Sequence, residues 1–333
     1  MDETDRQALK AVVAGMEAAL YEDMGGAARA GEAAFLPEAP VRLAHPFHTL
    51  AGWGELWARA LGPLAMAWPD AERRVQIRIA GADEHGAQWV GCGGFYLGTF
   101  ERPWLDIPPT HRVAHMRFHE FFRIEDGRVA EMQALWDIPE VMMQARAWPL
   151  APSLGRDWHV PGPATGDGLG PHDGDGAPAR ARVTEMLDYM KRHPAGGGPE
   201  VMEMERFWHP RMSWYGPAGI GTGRGIAGFR RHHQVPFLRA MPDRGQYLDE
   251  ITYHFMAEGN YVGVTGWPNM IQTLSNDGWM GIAPNGQRLT MKSLDFWRLE
   301  GDLIRENWVL VDLLDVYDQL GVDVFRRMRE LVD

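Results

Sequence analysis

The sequence predicts an α+β fold built twice: two repeated cone-shaped domains, each a curved antiparallel sheet wrapped around helices into an α+β barrel. Three observations lead there. A run rich in Gly, Pro and Asp interrupts the chain between Pro149 and Pro178. The segments on either side of it repeat each other. Within each repeat a helical hydrophobic period gives way to strand alternation. The expected boundaries are a domain at 1–148, a flexible linker at 149–178 and a second domain at 179–333.

The repeat is clearest toward the end of each half. PPTHRVAHMRFHEFFRIEDGRVAEMQALWD (Pro108–Asp137) lies over APNGQRLTMKSLDFWRLEGDLIRENWVLVD (Ala283–Asp312) at an offset of 175 residues. That alignment pairs Arg117 with Lys292, Glu120 with Asp295, Glu131 with Glu306 and Asp137 with Asp312. Upstream, Pro69-Asp70 matches Pro242-Asp243, QWVGCGGF (Gln88–Phe95) matches NYVGVTGW (Asn260–Trp267), and Gly52/Gly54 match Gly223/Gly225. The order is preserved and the offset drifts by a few residues, which is the mark of duplication with loop insertions.

Each unit opens with a helix, from Leu9, Val12, Val13, Met16 and Leu20 in one and Val183, Met186, Leu187 and Met190 in the other. A short strand follows near Val41–Ala44 or Met212–Tyr215. A second helix begins after Gly52, carrying Leu56, Trp57 and Leu61, or after Gly223, carrying Ile226, Phe229 and His233. Val75–Ile79, Gln88–Leu97, Val113–Glu125 and Val129–Leu135 read as strands, with Asp126-Gly127 favouring a tight hairpin. Closing helices are expected at Val141–Ala147 and Leu313–Leu331. Antiparallel sheets with one apolar face need a cover, so the two halves are expected to pack as an intramolecular pseudo-dimer, with a homo-oligomer an open possibility.

Composition narrows the function. A net charge of -12 repels phosphate backbones and anionic membranes, so no nucleic-acid or membrane partner is expected. The single cysteine, Cys92, permits no internal disulfide, and MDETDRQ lacks the basic start of a signal peptide; both favour the cytoplasm. Fourteen Trp, 13 Phe and 8 Tyr are enough to line an apolar pocket as well as fill cores. The expected partner is an apolar small-molecule ligand.

Several motifs carry a resemblance. They are Pro69-Asp70 ahead of the meander, Gly-x-Phe-x-x-Gly at Gly93–Gly98, the turn Pro108-Pro109-Thr110, the hairpin at Arg123–Val129, and Trp308 to Asp312 followed by Asp318-Gln319-Leu320-Gly321. In these the chain resembles SnoaL-like polyketide cyclases, of the superfamily named after nuclear transport factor two, with a cystatin-like α+β barrel. The resemblance covers both units and excludes the linker. Departures are His111 where the family has Gly (restored as Gly286), Gln133 where it has Trp, and Gly216-Pro217 opposite the His45-Pro46 of the first unit. Neither unit carries the full pattern.

Asp137 and Asp312 head the candidate residues. Each follows a strand of apolar neighbours, and burial there raises a carboxyl's pKa toward proton transfer at neutral pH. The resemblance implies the same role, the general acid/base of an intramolecular aldol closure. The plainer reading is a helix N-cap. His45 is the second candidate, implied by the resemblance as a polariser or proton partner, against a plain strand-end histidine. The expected pocket is Trp89, Phe95, His119 and Glu120 in the first unit and Trp214, Trp267, Asp295 and Trp308 in the second.

His111, His115 and His119 are spaced by four, roughly 13 Å apart along a strand at the ends of each step, too far for one metal ion. No metal and no cofactor is expected. Arg117, matched by Lys292, is read as binding an anionic group or a carboxylate across an interface. His232-His233 read as surface or interface residues. GIGTGRG (Gly219–Gly225) lacks the Lys-Ser/Thr of a phosphate loop and reads as a turn. The functional expectation is an enzyme using Asp acid/base chemistry on an apolar carbonyl compound, of cyclase, isomerase, dehydratase or hydrolase type. The alternative is a non-catalytic binding module. His45 with Asp137 favours catalysis in the first unit and leaves a scaffold or binding role for the second.

Overall fold

The structure is a computed structural model that describes residues 1–193 and 196–332. It divides into two compact units: Met1–Pro149 with Pro161–Pro171 and Asp323–Asp333, and Leu150–Val160 with His172–Val322. The Gly/Pro-rich stretch is thus shared between them. In the second unit it is pinned by Trp158, whose indole N–H donates to Thr222 Oγ1 at 3.0 Å.

In the first unit α1 (Glu3–Glu22) starts at a capping box between Asp2 and Asp5 and buries Leu9, Val13, Met16 and Leu20. β1 (Pro40–Leu43) and β2 (His48–Ala51) form a hairpin that leads into α2 (Gly52–Leu56), a π-helical turn and α3 (Gly62–Ala67). Four strands follow, β3 (Glu72–Ala82), β4 (Gln88–Thr99), β5 (Val113–Glu125) and β6 (Arg128–Trp136), then α4 (Ile138–Gln144). The β5–β6 turn places Asp126 at φ 49° and Gly127 at φ 70°, the positive pair a tight primed turn requires.

The sheet order is β2-β1-β6-β5-β4-β3. Two features differ from the expected antiparallel barrel. β1 runs parallel to β6, so the sheet is mixed. Parallel neighbours need a long connection rather than a turn, and α2, α3 and strands β3 to β5 supply it. The sheet also stays open, with β2 and β3 as edges.

The second unit repeats this order with different strand lengths. Its helices are α5 (Ala177–Met190), α6 (Met204–Phe207), α7 (Gly225–Phe229) and α8 (Val235–Ala240), the last two joined by another π-helical turn. Its six-stranded sheet runs β8 (Thr222–Arg224), β7 (Trp208–Tyr215), β14 (Leu303–Val311), β13 (Ser293–Glu300), β10 (Tyr261–Thr265) and β9 (His254–Glu258), with β7 parallel to β14. β11 (Met270–Leu274) and β12 (Gln287–Met291) form a separate ribbon.

Two interruptions shape this unit. Where the first unit has the 11-residue β3, the second has a loop at 241–253 and only the five-residue β9. Where β4 runs unbroken for 12 residues, the second unit breaks between β10 and β11. Pro268 has no N–H for a ladder, and a Cβ on Gly266 would sit 1.9 Å from the Thr252 carbonyl oxygen. Asn269 bridges the break: its Nδ2 donates to the Ser293 carbonyl at 2.5 Å, and its Oδ1 accepts from the Ser293 N–H at 2.8 Å. The closing helix expected at Leu313–Leu331 is two helices, α9 (Leu313–Gln319) and α10 (Val324–Val332), parted at Gly321 with φ 74°. Among the described residues no helix is long and apolar enough to cross a membrane.

Candidate functional site

Strand alternation builds the site. Ser293, Asp295 and Trp297 on β13 and Asn307, Val309 and Val311 on β14 point to one side of the second sheet. Asp295 stands between its cross-strand neighbours Val264 and Val309. α5 contributes Met186, Leu187 and Met190 from the opposite side, and α7 and α8 contribute Phe229 and Phe237. Together they line a partly open inner chamber, with about 790 Å³ of atom-free space counted out to its mouth in solvent. A second cavity of about 700 Å³ adjoins it, sharing Leu187, Arg244, Tyr253 and Met270 as a common wall. Its outer side is the loop at 241–253, present because β9 is short.

Asp295 is half-buried on β13 and lines the chamber. Burial pushes its carboxyl up to about 7, although a hydrogen bond from Ser293 Oγ (2.6 Å) and the charge of Arg244 pull the other way. It therefore changes charge near neutrality. His233 stacks on Trp214 with ring centroids 4.2 Å apart and planes 11° from parallel. Burial, then the charge of Arg244, lowers its imidazole to about 3, so it is neutral at physiological pH. Burial likewise raises the Tyr253 phenol. The floor is aromatic: Trp214 meets Phe229 at 5.4 Å, and Trp208 stacks on Phe229 at 6.0 Å.

At the equivalent position of the first unit the acid is fully engaged by its neighbours. Glu120, the partner of Asp295 in the repeat, bonds Arg73 Nη2 at 2.6 Å and accepts from the Tyr96 hydroxyl at 2.9 Å and the Trp136 indole at 3.0 Å. Arg73 also meets Glu17 at 3.2 Å and lies over the Phe118 ring at 4.3 Å. Burial opposes the Arg73 charge, but Glu120 and Glu17 more than offset it and hold the guanidinium firmly protonated. Cys92 donates to Glu17 at 3.1 Å, with its thiol pushed up by burial and by that carboxylate.

The other sequence candidates are dispersed. Asp137 stands at the start of α4, but its carboxylate meets Arg117 at 3.2 Å instead of capping the helix. Asp312 does cap: it accepts from the Asp315 N–H at 3.3 Å at the start of α9. Asp312→Ala is expected to weaken α9 by about 1 kcal/mol, read as faster amide exchange across that helix. The cations expected to hold an anion are matched within the protein, Arg117 by Asp137 and Lys292 by Asp315. His45 packs edge-on to His48 and stacks with Phe325. His111 meets Glu101 and His115 meets Glu140, each at 3.1 Å, while His119 is buried in β5.

Of the expected pocket residues, Trp214 and Asp295 line the chamber. Trp89 is buried and donates to Asp83 at 3.1 Å, and Phe95 is buried on β4. Trp267 precedes Pro268 at the strand break and sits under Lys292 at 5.5 Å. Trp308 points to the other side of β14 and packs on Tyr215 at 5.5 Å. His233, read as a surface or interface residue, is instead in the chamber wall, and its spacing with Ile226 and Phe229 was the available signal. Arg244 and Tyr253 come from the loop that replaces a strand, which has no periodicity to betray them.

The sequence profile of the SnoaL-like polyketide cyclases matches residues 55–145 and 199–320. No curated protein matches the chain. Among solved structures, IdmH of Streptomyces antibioticus is 21% identical over 41% of this chain and 96% of its own, with a TM-score of 0.35. TsrD of Streptomyces laurentii is 22% identical over 42% and 96%, with a TM-score of 0.35. A SnoaL-like protein of Jannaschia sp. CCS1 is 18% identical over 41% and 91%, with a TM-score of 0.36. With its two matched regions together spanning more than half of its length, the chain belongs to the SnoaL-like polyketide cyclase family.

Proposed function

We propose that the second unit is the functional half, an enzyme that moves a proton on an apolar, carbonyl-bearing small molecule, with Asp295 as the proton-carrying carboxyl. The observation that carries this reading is Asp295 itself, an acid raised to about 7 on the wall of an aromatic chamber that adjoins a second cavity. Ionised, it takes a proton from the carbon beside the carbonyl. The electron pair moves to the carbonyl oxygen, and the protonated carboxyl then returns the proton at a second position. Cyclisation, isomerisation and dehydration all share that enolisation. His233 is neutral and stacked, so it shapes the wall and leaves proton transfer to Asp295. In the first unit Glu120 is neutralised by Arg73, so that unit is assigned a scaffold role.

The test needs no knowledge of the natural substrate. Exchange of the α-protons of 2-tetralone in D₂O is followed by NMR with the full chain. The wild type is expected to accelerate exchange with a rate that rises with pH through about 7, and Asp295→Asn to lose roughly 10²-fold or more of it. If 2-tetralone binds but neither protein accelerates exchange, the chamber is a binding module and the catalytic reading fails.

A further inference from the structure

Arg244 lies between the two cavities with its charge uncommitted. Among the described residues its side chain makes no hydrogen bond and no ion pair. Its neighbour is the Phe237 ring, 6.0 Å from the guanidinium carbon. Asp295 and Tyr253 influence its charge without direct contact. Other arginines of the two cores differ: Arg73 is matched by Glu17 and Glu120, Arg117 by Asp137, and Arg298 by Glu306 at 2.6 Å. Arg244 is half-buried, its guanidinium does not shed its proton, and charges drawn out of water are ordinarily paired. Two fully buried donors in the same chamber also lack partners among the described residues. The indole N–H groups of Trp208 and Trp297 face no acceptor, and such groups are few in folded proteins.

We infer that the chamber is built for an apolar ring compound bearing an ionised carboxylate, gripped by the planar fork of Arg244, with a further ligand oxygen accepting from Trp208 or Trp297. This deepens the function proposed above and rests on it by naming the class of substrate. A carboxylate fits better than a phosphate. The inner wall offers a single permanent cation among the described lining residues, and Asp295 nearby disfavours a dianion. Lys191, in the outer cavity, is already held by Asp188 at 2.7 Å. The guanidinium geometry accepts a carboxylate through two parallel N–H bonds. Partial burial then makes that contact more discriminating than it would be at the open surface.

Isothermal titration of the full chain with 2-naphthoate and with methyl 2-naphthoate tests this. The wild type is expected to bind the acid at least tenfold tighter than the ester. Arg244→Met is expected to lose that preference while keeping ester affinity and an unfolding midpoint at or above the wild type, because no ion pair is lost. Arg244→Lys keeps the charge without the fork and is expected to retain only part of the preference, which provides a readout should the methionine variant fail to fold. Equal or tighter binding of the ester, a preference that survives Arg244→Met, or no binding of either compound at millimolar concentration overturns the assignment. Asp295→Asn is expected to keep the acid preference. If that variant also keeps α-proton exchange, the acid/base reading falls while the carboxylate site stands.

Discussion

Asp295→Asn is expected to stabilise the second unit at pH 8, by as much as about 4 kcal/mol, less whatever screening chamber water gives the ionised carboxylate. The carboxyl is raised from 3.8 to about 7 in the fold. Between those values the unfolded chain has released a proton that the folded chain retains. Stability therefore falls as pH rises from about 4 to 7, and the loss is complete above 7. Asparagine has the shape of the neutral acid and no charge to bury. His233 acts in the opposite direction. Its imidazole is lowered from 6.5 to about 3, so the unfolded chain binds the extra proton and stability falls as pH drops from 6.5 toward 3.

Between pH 4 and 6.5 the two contributions nearly cancel in the wild type. Asp295→Asn is expected to expose a rise of stability with pH across that window, and His233→Phe a fall. Amide exchange in β13 and β14, with β5 and β6 as the internal reference, reads both. A pH profile identical in the wild type and both variants would mean that neither group is desolvated as described. An active site that is less stable than it need be at its working pH is a common cost of holding a catalytic group in an unfavourable medium.

Arg73→Met is expected to cost the first unit about 3–5 kcal/mol, the penalty for removing one partner of a buried ion pair. Glu17 keeps a second cation, Arg78, at 2.5 Å. Among the described residues Glu120 keeps only the neutral donors Tyr96 and Trp136. Glu120 therefore takes the loss, and in the variant its carboxyl is expected to hold a proton in the fold that it releases on unfolding. Stability of the variant then declines as pH rises above the ordinary glutamate value. Adding Glu120→Gln to Arg73→Met is expected to recover most of the loss, because no charge is left uncompensated. Urea unfolding at pH 5 and pH 8 checks this. A pH-independent loss that the second substitution does not repair would show that Arg73 contributes through packing on Phe118 alone. Proton exchange of 2-tetralone is expected to be unchanged throughout, since the network belongs to the scaffold unit.

These two results bear on one repeated position. Glu120 and Asp295 are aligned by the repeat, and both face the interior of their units. One is locked by an arginine from a long strand, and the other lines a pocket beside an arginine from a loop. The tandem arrangement, the helix faces of α1 and α5, the meander and the Asp126-Gly127 turn were legible in the sequence because they depend on local periodicity and on backbone conformations that particular residues prefer. The parallel pairing of β1 with β6 was not, because it joins segments far apart in the chain. The split of the closing helix at Gly321 was missed because one glycine within an apolar period does not by itself end a helix.

For the site, the sequence by itself determined the kind of chemistry available: carboxylates on apolar strands, aromatic walls and a fold that encloses a pocket. It also ranked Asp137 and Asp312 first, since each ends a strand before a helix. Only the tertiary structure decided which carboxylate is left without a neutralising partner. Asp137 meets Arg117, Asp312 meets a helix amide, Glu120 meets Arg73, and Asp295 meets the chamber. The physical reason is that a carboxyl's proton affinity is set by desolvation and by charges brought close in space. Arg73, Arg117 and Arg244 arrive from elements whose distance from those carboxylates along the chain says nothing of their distance in the fold.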